Sequence, residues 1–337
     1  MLVKHIIPMN CNAPIGWLGG KTRLRPTIIN CMPKHDCYVE VFAGSATVFF
    51  GKPPAKIEII NDVNHELVNL FKVLSGTYFD EKIRKEFVEY VKWMPASRET
   101  FIKWQKLSDK ELDELNPAQR AFVYYYCIKK GFSSIKQGGY EASPLTKSRY
   151  NMNTDFERFR KRFSSTNAQI EQVDFRKLID KYSDPRAKVF FYCDPPYFVA
   201  DGTNYYEFVF GTQDHQDFKK CCDQVHVNGN QFLITYDDVQ DVIDLYGDYF
   251  IYRTDPIIYS ASEESVERTN EKTELFITNY DLHKMLKGKE KTKGKGKPAG
   301  GCDMYSATRT DAWAKAKIGG NDKDIIIEGC IGLQRVN

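Results

Sequence analysis

The residues best suited to chemistry stand where apolar runs end in acids. Asp194, Pro195, Pro196 and Tyr197 follow the apolar, aromatic run KVFFYC. No proline side chain donates or accepts a hydrogen bond, and proline has no backbone N–H, so this loop offers only carbonyl oxygens and one carboxylate. Such a set is built to accept hydrogen bonds from an amine. The exocyclic amine of a nucleobase, for example N6 of adenine, is planar with its lone pair delocalised into the ring, which makes it a poor nucleophile. If the Asp194 carboxylate and the Pro195 carbonyl take its two N–H groups, the nitrogen is drawn toward a pyramidal geometry and its lone pair is localised. The same acceptors stabilise the positive charge that develops as the nitrogen is alkylated. Tyr197 adds a flat face on which a base can stack, a contact worth roughly 1–3 kcal/mol. The plainer alternative is a turn that ends a strand beside a surface aromatic.

A second acid stands in a comparable place. Ala43, Gly44 and Ser45 follow the run CYVEVF, and Asp62 ends the run KIEII eighteen residues after Gly44. A glycine turn lets a ligand approach the backbone, and an acid at this spacing can accept hydrogen bonds from ribose hydroxyls. Ordinary packing of a tight turn is the alternative. In an open α/β sheet ligands bind outside the carboxyl ends of the strands, where Phe42 to Ser45, Asp62 and Asp194 all fall.

The elements that must position these groups follow from the pattern. CYVEVFAG (37–44) and KIEIIND (56–62) are short β-rich runs separated by GSATVFFGKPP, which gives strand, turn, helix, strand. HELVNLFKVL then carries Leu67, Leu70, Phe71 and Leu74 at helical spacing, and KVFFYCDPPY, NQFLITYDD and TELFITNY are three further buried strands. Alternation of this kind predicts an α/β fold, a mostly parallel sheet flanked by helices, formed by residues 1–76 and 169–280. Residues 77–168 are rich in Lys, Arg and aromatics with helical periodicity; they predict an inserted helical domain, with Asn116 capping and Pro117 starting one of its helices. The Lys- and Gly-rich stretch 281–301 reads as a flexible linker. The tail 302–337 has one strand-like run, DIIIEGCIGL, and no assigned role, and there is no internal repeat.

Bulk properties set the bounds. With 337 residues, 42% of them hydrophobic, the chain can bury a substantial core. Its net charge is only +3 although 28% of residues are charged, which permits a polyanionic partner without demanding one. The nine cysteines form no CxxC pair and no zinc-like spacing with histidine, so reduced thiols and no metal are expected. No apolar stretch approaches a membrane span, and MLVKHIIPMN lacks the layout of a secretory signal. A cytosolic monomer of bacterial or phage type, with no obligate protein partner and no membrane contact, is the expectation.

Seven segments between residues 15 and 280 carry a resemblance to a known family. In order they are IGWLGGKTRL, YVEVFAGSATVFF, IINDVNHELVNLF, VDFRKLI, FFYCDPPY, FLITYDD and TELFITNY. The chain resembles the Dam-like family of adenine-N6-specific DNA methyltransferases, which use S-adenosylmethionine and a Rossmann-like fold. The resemblance implies that Trp17, Gly19, Gly20 and Lys21 form the N-terminal cofactor segment, with Glu40, Phe42 and Gly44 in the glycine turn. It implies that Asp62 holds the ribose, that Asp174 and Phe175 contact the cofactor's adenine, and that Asp194, Pro195, Pro196 and Tyr197 form the catalytic loop beside the cofactor. Double-stranded DNA would be the substrate and a short palindrome of the GATC kind the target. Cytosine-N4 methylation and a non-catalytic DNA-binding module with the same fold are the alternatives.

Two departures stand out. Ala46 occupies a place where family members often have a second glycine, a small change that should leave cofactor binding intact. CIKKGFSSIK stands where they often carry an Asn with Gly-Phe-Asn-Gly, which puts sequence recognition in doubt. A duplex base reaches Asp194 only if it is flipped out, at a few kcal/mol, and Tyr205, Tyr206 and Phe208 are candidates to line the pocket. The insert offers Arg98, Lys103, Arg120, Lys129, Lys130, Lys136, Lys147, Arg149, Arg158, Arg160, Lys161 and Arg162 for phosphates and base edges, and Lys284 to Lys297 could add non-specific affinity.

Overall fold

A computed structural model of the chain describes residues 11–17, 19–131, 139–140, 156–198, 210–258, 271–293, 316–318, 324–327 and 331–337. It divides into two compact units, the first made of Met1–Thr22 and Cys37–Leu178, the second of Arg23–Asp36 and Ile179–Asn337. Helix α1 (Arg25–Cys31) belongs to the second unit, and the first unit resumes at Cys37. There strand β1 (Cys37–Glu40), helix α2 (Thr47–Gly51), strand β2 (Ile57–Asn61) and helix α3 (His65–Ser75) realise the expected βαβ start. Strand β1 pairs in parallel with β2, and β2 with β3 (Gln169–Glu171). Helix α3 begins where the Asn64 side chain accepts from the Leu67 N–H and stops at Gly76 in the left-handed region, burying the apolar stripe read from its spacing.

The 107 residues between β2 and β3 hold helices α4 (Glu81–Lys92), α5 (Arg98–Gln105), α6 (Asp109–Asp113), α7 (Pro117–Lys130) and α8 (Phe156–Ser164). Asn116 caps α7 and Pro117 starts it, as the sequence predicts, and Gln119 completes a capping box. Helix α7 is buried on nearly all sides and packs on α3, α4 and α5. Arg120 grips Glu66 of α3 at 2.6 and 2.8 Å and Asp113 at 2.8 Å. Arg162 of α8 is fully buried, donating to Glu58 at 2.6 and 2.9 Å and to the Phe49 carbonyl at 2.8 and 3.1 Å, with its guanidinium 3.8 Å from the Phe49 ring centre. Both arginines were candidates for DNA contact; Arg162 is held in the interior by Glu58, and Arg120 is paired with Glu66 and the exposed Asp113.

Helix α9 (Phe175–Tyr182) leads into the second unit, whose elements are β4 (Val189–Cys193), α10 (Thr212–Val227), β5 (Gln231–Asp237), α11 (Gln240–Leu245), β6 (Phe250–Thr254), β7 (Ile257–Ile258), β8 (Glu271–Lys272), β9 (Glu274–Thr278), α12 (Leu282–Lys293), β10 (Ala316–Ile318), β11 (Asp324–Ile327) and β12 (Leu333–Arg335). Strands β4 and β5 pair in parallel, and both are buried runs of apolar and aromatic side chains. Beyond β5 the pairing is antiparallel, in the order β5-β9-β6-β12-β11-β10. The α/β class is as expected, a sheet flanked by helices. Two regions differ from their sequence reading. The stretch read as a linker begins as helix α12, because Leu282 and Leu286 find buried seats. The tail read as unassigned supplies three strands, the last paired with β6.

Candidate active site

In the first unit the predicted cofactor residues gather at the carboxyl ends of β1 and β2. Gly44 lies at φ +47° and Ala46 at φ +54°, so the turn after β1 is left-handed twice, and Ala46 adopts the conformation that suits a glycine. The Trp17 indole lies against Gly44: a Cβ there would stand 2.8 Å from Nε1. The Gly20 N–H donates to the Trp17 carbonyl at 3.0 Å, and buried Lys21 donates to the Gly19 carbonyl at 2.7 Å. Asp62 accepts from the Gly44 N–H at 2.9 Å and the Asn64 N–H at 3.0 Å. Burial raises its carboxyl, and the N–H groups of Asn64, Gly44 and Val63 oppose that rise.

Glu40 is buried beneath this turn, accepting from the Tyr38 hydroxyl at 2.7 Å and the Phe49 N–H at 2.9 Å. The Phe42 and Phe175 rings meet with centroids 5.7 Å apart, and Asp174 pairs with Arg176 at 3.0 Å. Sequence reasoning missed the residue that brings Phe175 here. Asn61 donates to the carbonyls of Val41 and Val173 at 3.0 Å each and accepts from the Val173 N–H at 2.9 Å. It thus joins the end of β1 to the segment before α9.

The second unit carries the tetrapeptide at the end of β4. The Asp194 carboxylate accepts from the Thr235 hydroxyl of β5 at 2.9 Å, and the Tyr192 hydroxyl lies 3.1 Å from the same Thr235 oxygen. Pro195 is buried, while Asp194, Pro196 and Tyr197 are half-buried. The Tyr197 hydroxyl donates to Glu274 at 3.1 Å, and its ring lies 5.9 Å from that of Tyr236. Next to it Phe198 stacks on His215 at 3.8 Å. His215 also bonds the Tyr236 hydroxyl through Nδ1, and burial pushes it down to about 4, so its ring is neutral at physiological pH. Thr235 and Glu274 were not legible as site residues: each acts on the loop from a different strand, and only strand register brings them there. Tyr205, Tyr206 and Phe208 lie outside the described residues.

On the insert, Arg98, Lys103, Arg158 and Lys161 are exposed, while Lys136, Lys147 and Arg149 lie outside the described residues. No group of three or more His, Cys, Asp or Glu side chains among the described residues could hold a metal ion, and none of their helices is long and apolar enough to cross a membrane.

The first unit thus carries a glycine turn with an acid eighteen residues on, and the second a strand ending in an acid and two prolines. The chain matches the D12 class N6 adenine-specific DNA methyltransferase family over residues 17–259 and belongs to that family. It is similar to the DNA adenine methylase of Escherichia coli (strain K12), 27% identical over 209 residues that cover 56% of this chain and 65% of the relative. It is also similar to the DNA adenine methylases of Serratia marcescens, 24% identical over 256 residues covering 70% and 87%, and of Haemophilus influenzae, 24% identical over 198 residues covering 54% and 62%. The chain thus spans just under two thirds of the length of the Escherichia coli relative.

Proposed function

We propose that this chain transfers a methyl group from S-adenosylmethionine to N6 of an adenine flipped out of duplex DNA. The observation that carries the reading is Asp194: a carboxylate at a strand end, oriented by Thr235, followed by two residues without N–H groups. Family membership supports it. The cofactor fits the first unit's residues. The Trp17 indole lies closely against Gly44, the Asp62 carboxylate has lone pairs left for ribose hydroxyls, and Phe42 with Phe175 offers apolar faces for a purine. When bound, S-adenosylmethionine supplies an electrophilic methyl on a sulfonium.

The protein's share of the reaction is orientation and charge. Asp194 and the Pro195 carbonyl accept hydrogen bonds from the two N6–H groups and turn the nitrogen lone pair outward, and Tyr197 fixes the base plane by stacking. Positive charge grows on N6 in the transition state as the N–C bond forms and the methyl–sulfur bond breaks, releasing S-adenosylhomocysteine as the neutral thioether. The Asp194 carboxylate stabilises that charge, and N6 then loses one proton to solvent. Segment 77–168 presents Arg98, Lys103, Arg158 and Lys161 to the phosphate backbone, while the exposed lysines of α12, Lys284 and Lys287, are a second cationic surface.

The test is transfer of labelled methyl to unmethylated DNA followed by digestion to nucleosides. Label in N6-methyladenosine is expected; label in N4-methylcytosine, or none, overturns the reading. Two substitutions probe the halves of the site. Gly44→Ala sets a Cβ against Trp17 at a left-handed φ, a conformation that penalises residues with a Cβ by roughly 1–2 kcal/mol, so titration calorimetry should show S-adenosylmethionine binding weakened by about tenfold or more. Thr235→Val removes the hydroxyl that aims Asp194, and single-turnover methylation should slow by about tenfold while Thr235→Ser keeps most of the rate. Equal rates in Val and Ser variants would show that the hydroxyl does not aim the carboxylate.

A further inference from the structure

Beside the catalytic loop stands an arrangement of carboxyl groups that does not favour the fold. Asp237 of β5 and Glu274 of β9 are directly opposed in the antiparallel register, and like charges in that position repel. Glu274 is buried and accepts the Tyr197 hydroxyl at 3.1 Å. Asp237 accepts the Phe198 N–H with one oxygen, while its Oδ1 is buried and has no hydrogen-bond partner among the described residues. Arg253 of β6 is held by the neighbouring Asp238 at 2.5 and 2.9 Å, and Thr273 donates to Asp238 as well. A buried carboxylate with an unused oxygen beside a second carboxylate opposes folding. What the two groups do hold is the loop: Glu274 takes the ring end of Tyr197, and Asp237 takes the backbone that follows it.

We propose that Asp237 and Glu274 are positioning residues for methyl transfer, and that Asp237, when ionised, fixes Tyr197 in the orientation on which the target base stacks. The inference rests on the reading of the tetrapeptide as the alkylation site. Burial, with Glu274 and Asp238 adding to it, pushes the Asp237 carboxyl up to about 6, against the Phe198 and Asp237 backbone N–H groups. The groups around it are Glu274 from β9 with Tyr197 on it, Asp238 directly after β5 with Arg253 of β6 on it, and the Tyr236 phenol, which also feels Asp194 of the loop after β4. Protonation below that value replaces a charged acceptor for the Phe198 N–H with a neutral one and loosens the loop. The methylation rate therefore falls as pH drops through about 6.

The sign for stability is opposite. A carboxyl whose folded value lies above its unfolded 3.8 binds more protons in the folded state, so its ionisation destabilises the fold at neutral pH, and that loss is recovered as pH falls through about 6. Asp237→Asn in the full chain separates the two effects, because the amide keeps an acceptor for Phe198 and carries no charge. The measurements are single-turnover methylation of unmethylated DNA across the pH range with nucleoside digestion, thermal unfolding, and S-adenosylmethionine affinity. At about pH 8 the variant should methylate about tenfold more slowly, the loss that a small misplacement of a reacting group brings. Its acid limb should vanish, its melting temperature should hold or rise, and its cofactor affinity should not change. A rate within twofold of the intact chain, a retained acid limb, or a rate that falls in step with melting temperature overturns the inference. If the intact chain forms no N6-methyladenosine, the methyltransferase reading falls and this inference with it. Label from the intact chain with an unaltered variant overturns the inference alone.

Discussion

Replacing Asp194 with alanine is expected to slow methyl transfer by about 10³-fold or more, the scale on which loss of a preorganised charge-stabilising group acts. The variant loses the acceptor that draws out the N6 lone pair and the anion that meets the growing charge on that nitrogen. The fold should survive. Thr235, whose hydroxyl donates to Asp194, still has the Tyr192 hydroxyl 3.1 Å away, and Asp194 itself is half-buried. Circular dichroism and DNA binding should therefore match the intact chain while single-turnover rate collapses. Asp194→Asn should fall between the two, since its amide keeps one acceptor oxygen but loses the charge. A loss below tenfold for the alanine variant would remove Asp194 from the reaction and return the tetrapeptide to the status of a turn.

The largest effect on stability is expected at Glu58. Its carboxylate sits between two buried cations: Arg162 donates at 2.6 and 2.9 Å, Lys52 donates to Oε1, and Thr166 adds a bond at 2.7 Å. Burial alone would raise its carboxyl, but the hydrogen bonds and charges of Arg162 and Lys52 outweigh that and hold it at about 2. Lys52 is pushed down to about 8 by burial, against the pull of Glu58. Glu58→Gln leaves both cations facing one another without an anion, a change of the kind that destabilises by roughly 3–5 kcal/mol. Urea unfolding near neutral pH measures it. The sign with pH follows from the lowered carboxyl: Glu58 contributes stability above its unfolded 4.5, and that contribution is lost as pH falls toward about 2. The intact chain should lose stability in that window and the Gln variant should lack the Glu58 contribution to the loss. A variant within 1 kcal/mol of the intact chain, on the scale of an exposed pair, would show that the cluster is well solvated.

What was legible in the chain was whatever local pattern decides. The strands ending at Glu40, Asn61 and Cys193 could be read because each is a short apolar run closed by a turn residue or an acid. Helix α3 could be read from the spacing of Leu67, Leu70, Phe71 and Leu74, and α7 from Asn116 and Pro117. The eighteen-residue step from Gly44 to Asp62 is a direct hydrogen bond in the structure, since parallel neighbours end side by side. Residues whose work depends on partners far along the chain stayed hidden. Asn61 bonds Val173 across 112 positions, Arg162 bonds Glu58 across 104, and Glu274 meets Tyr197 across 77. Nothing beside Arg162 in FERFRKRFS distinguishes it from its exposed neighbours; the difference lies in which side of α8 packs inward. The helix at Leu282 was hidden for the opposite reason, because its lysine-rich composition outweighed two leucines in the reading.

Strands β2 and β3 are neighbours in register, Ile59 beside Gln169, although the chain makes an excursion of more than a hundred residues between them. Closing such an excursion carries an entropy that grows only with the logarithm of its length, so a longer or shorter set of helices would alter it little. The helices are therefore free to diverge. Asn61, where the excursion leaves β2, bonds Val173 just past β3 where it returns, and Val41 after β1 as well. A lineage could exchange the intervening helices without disturbing the register of the strands on either side of them.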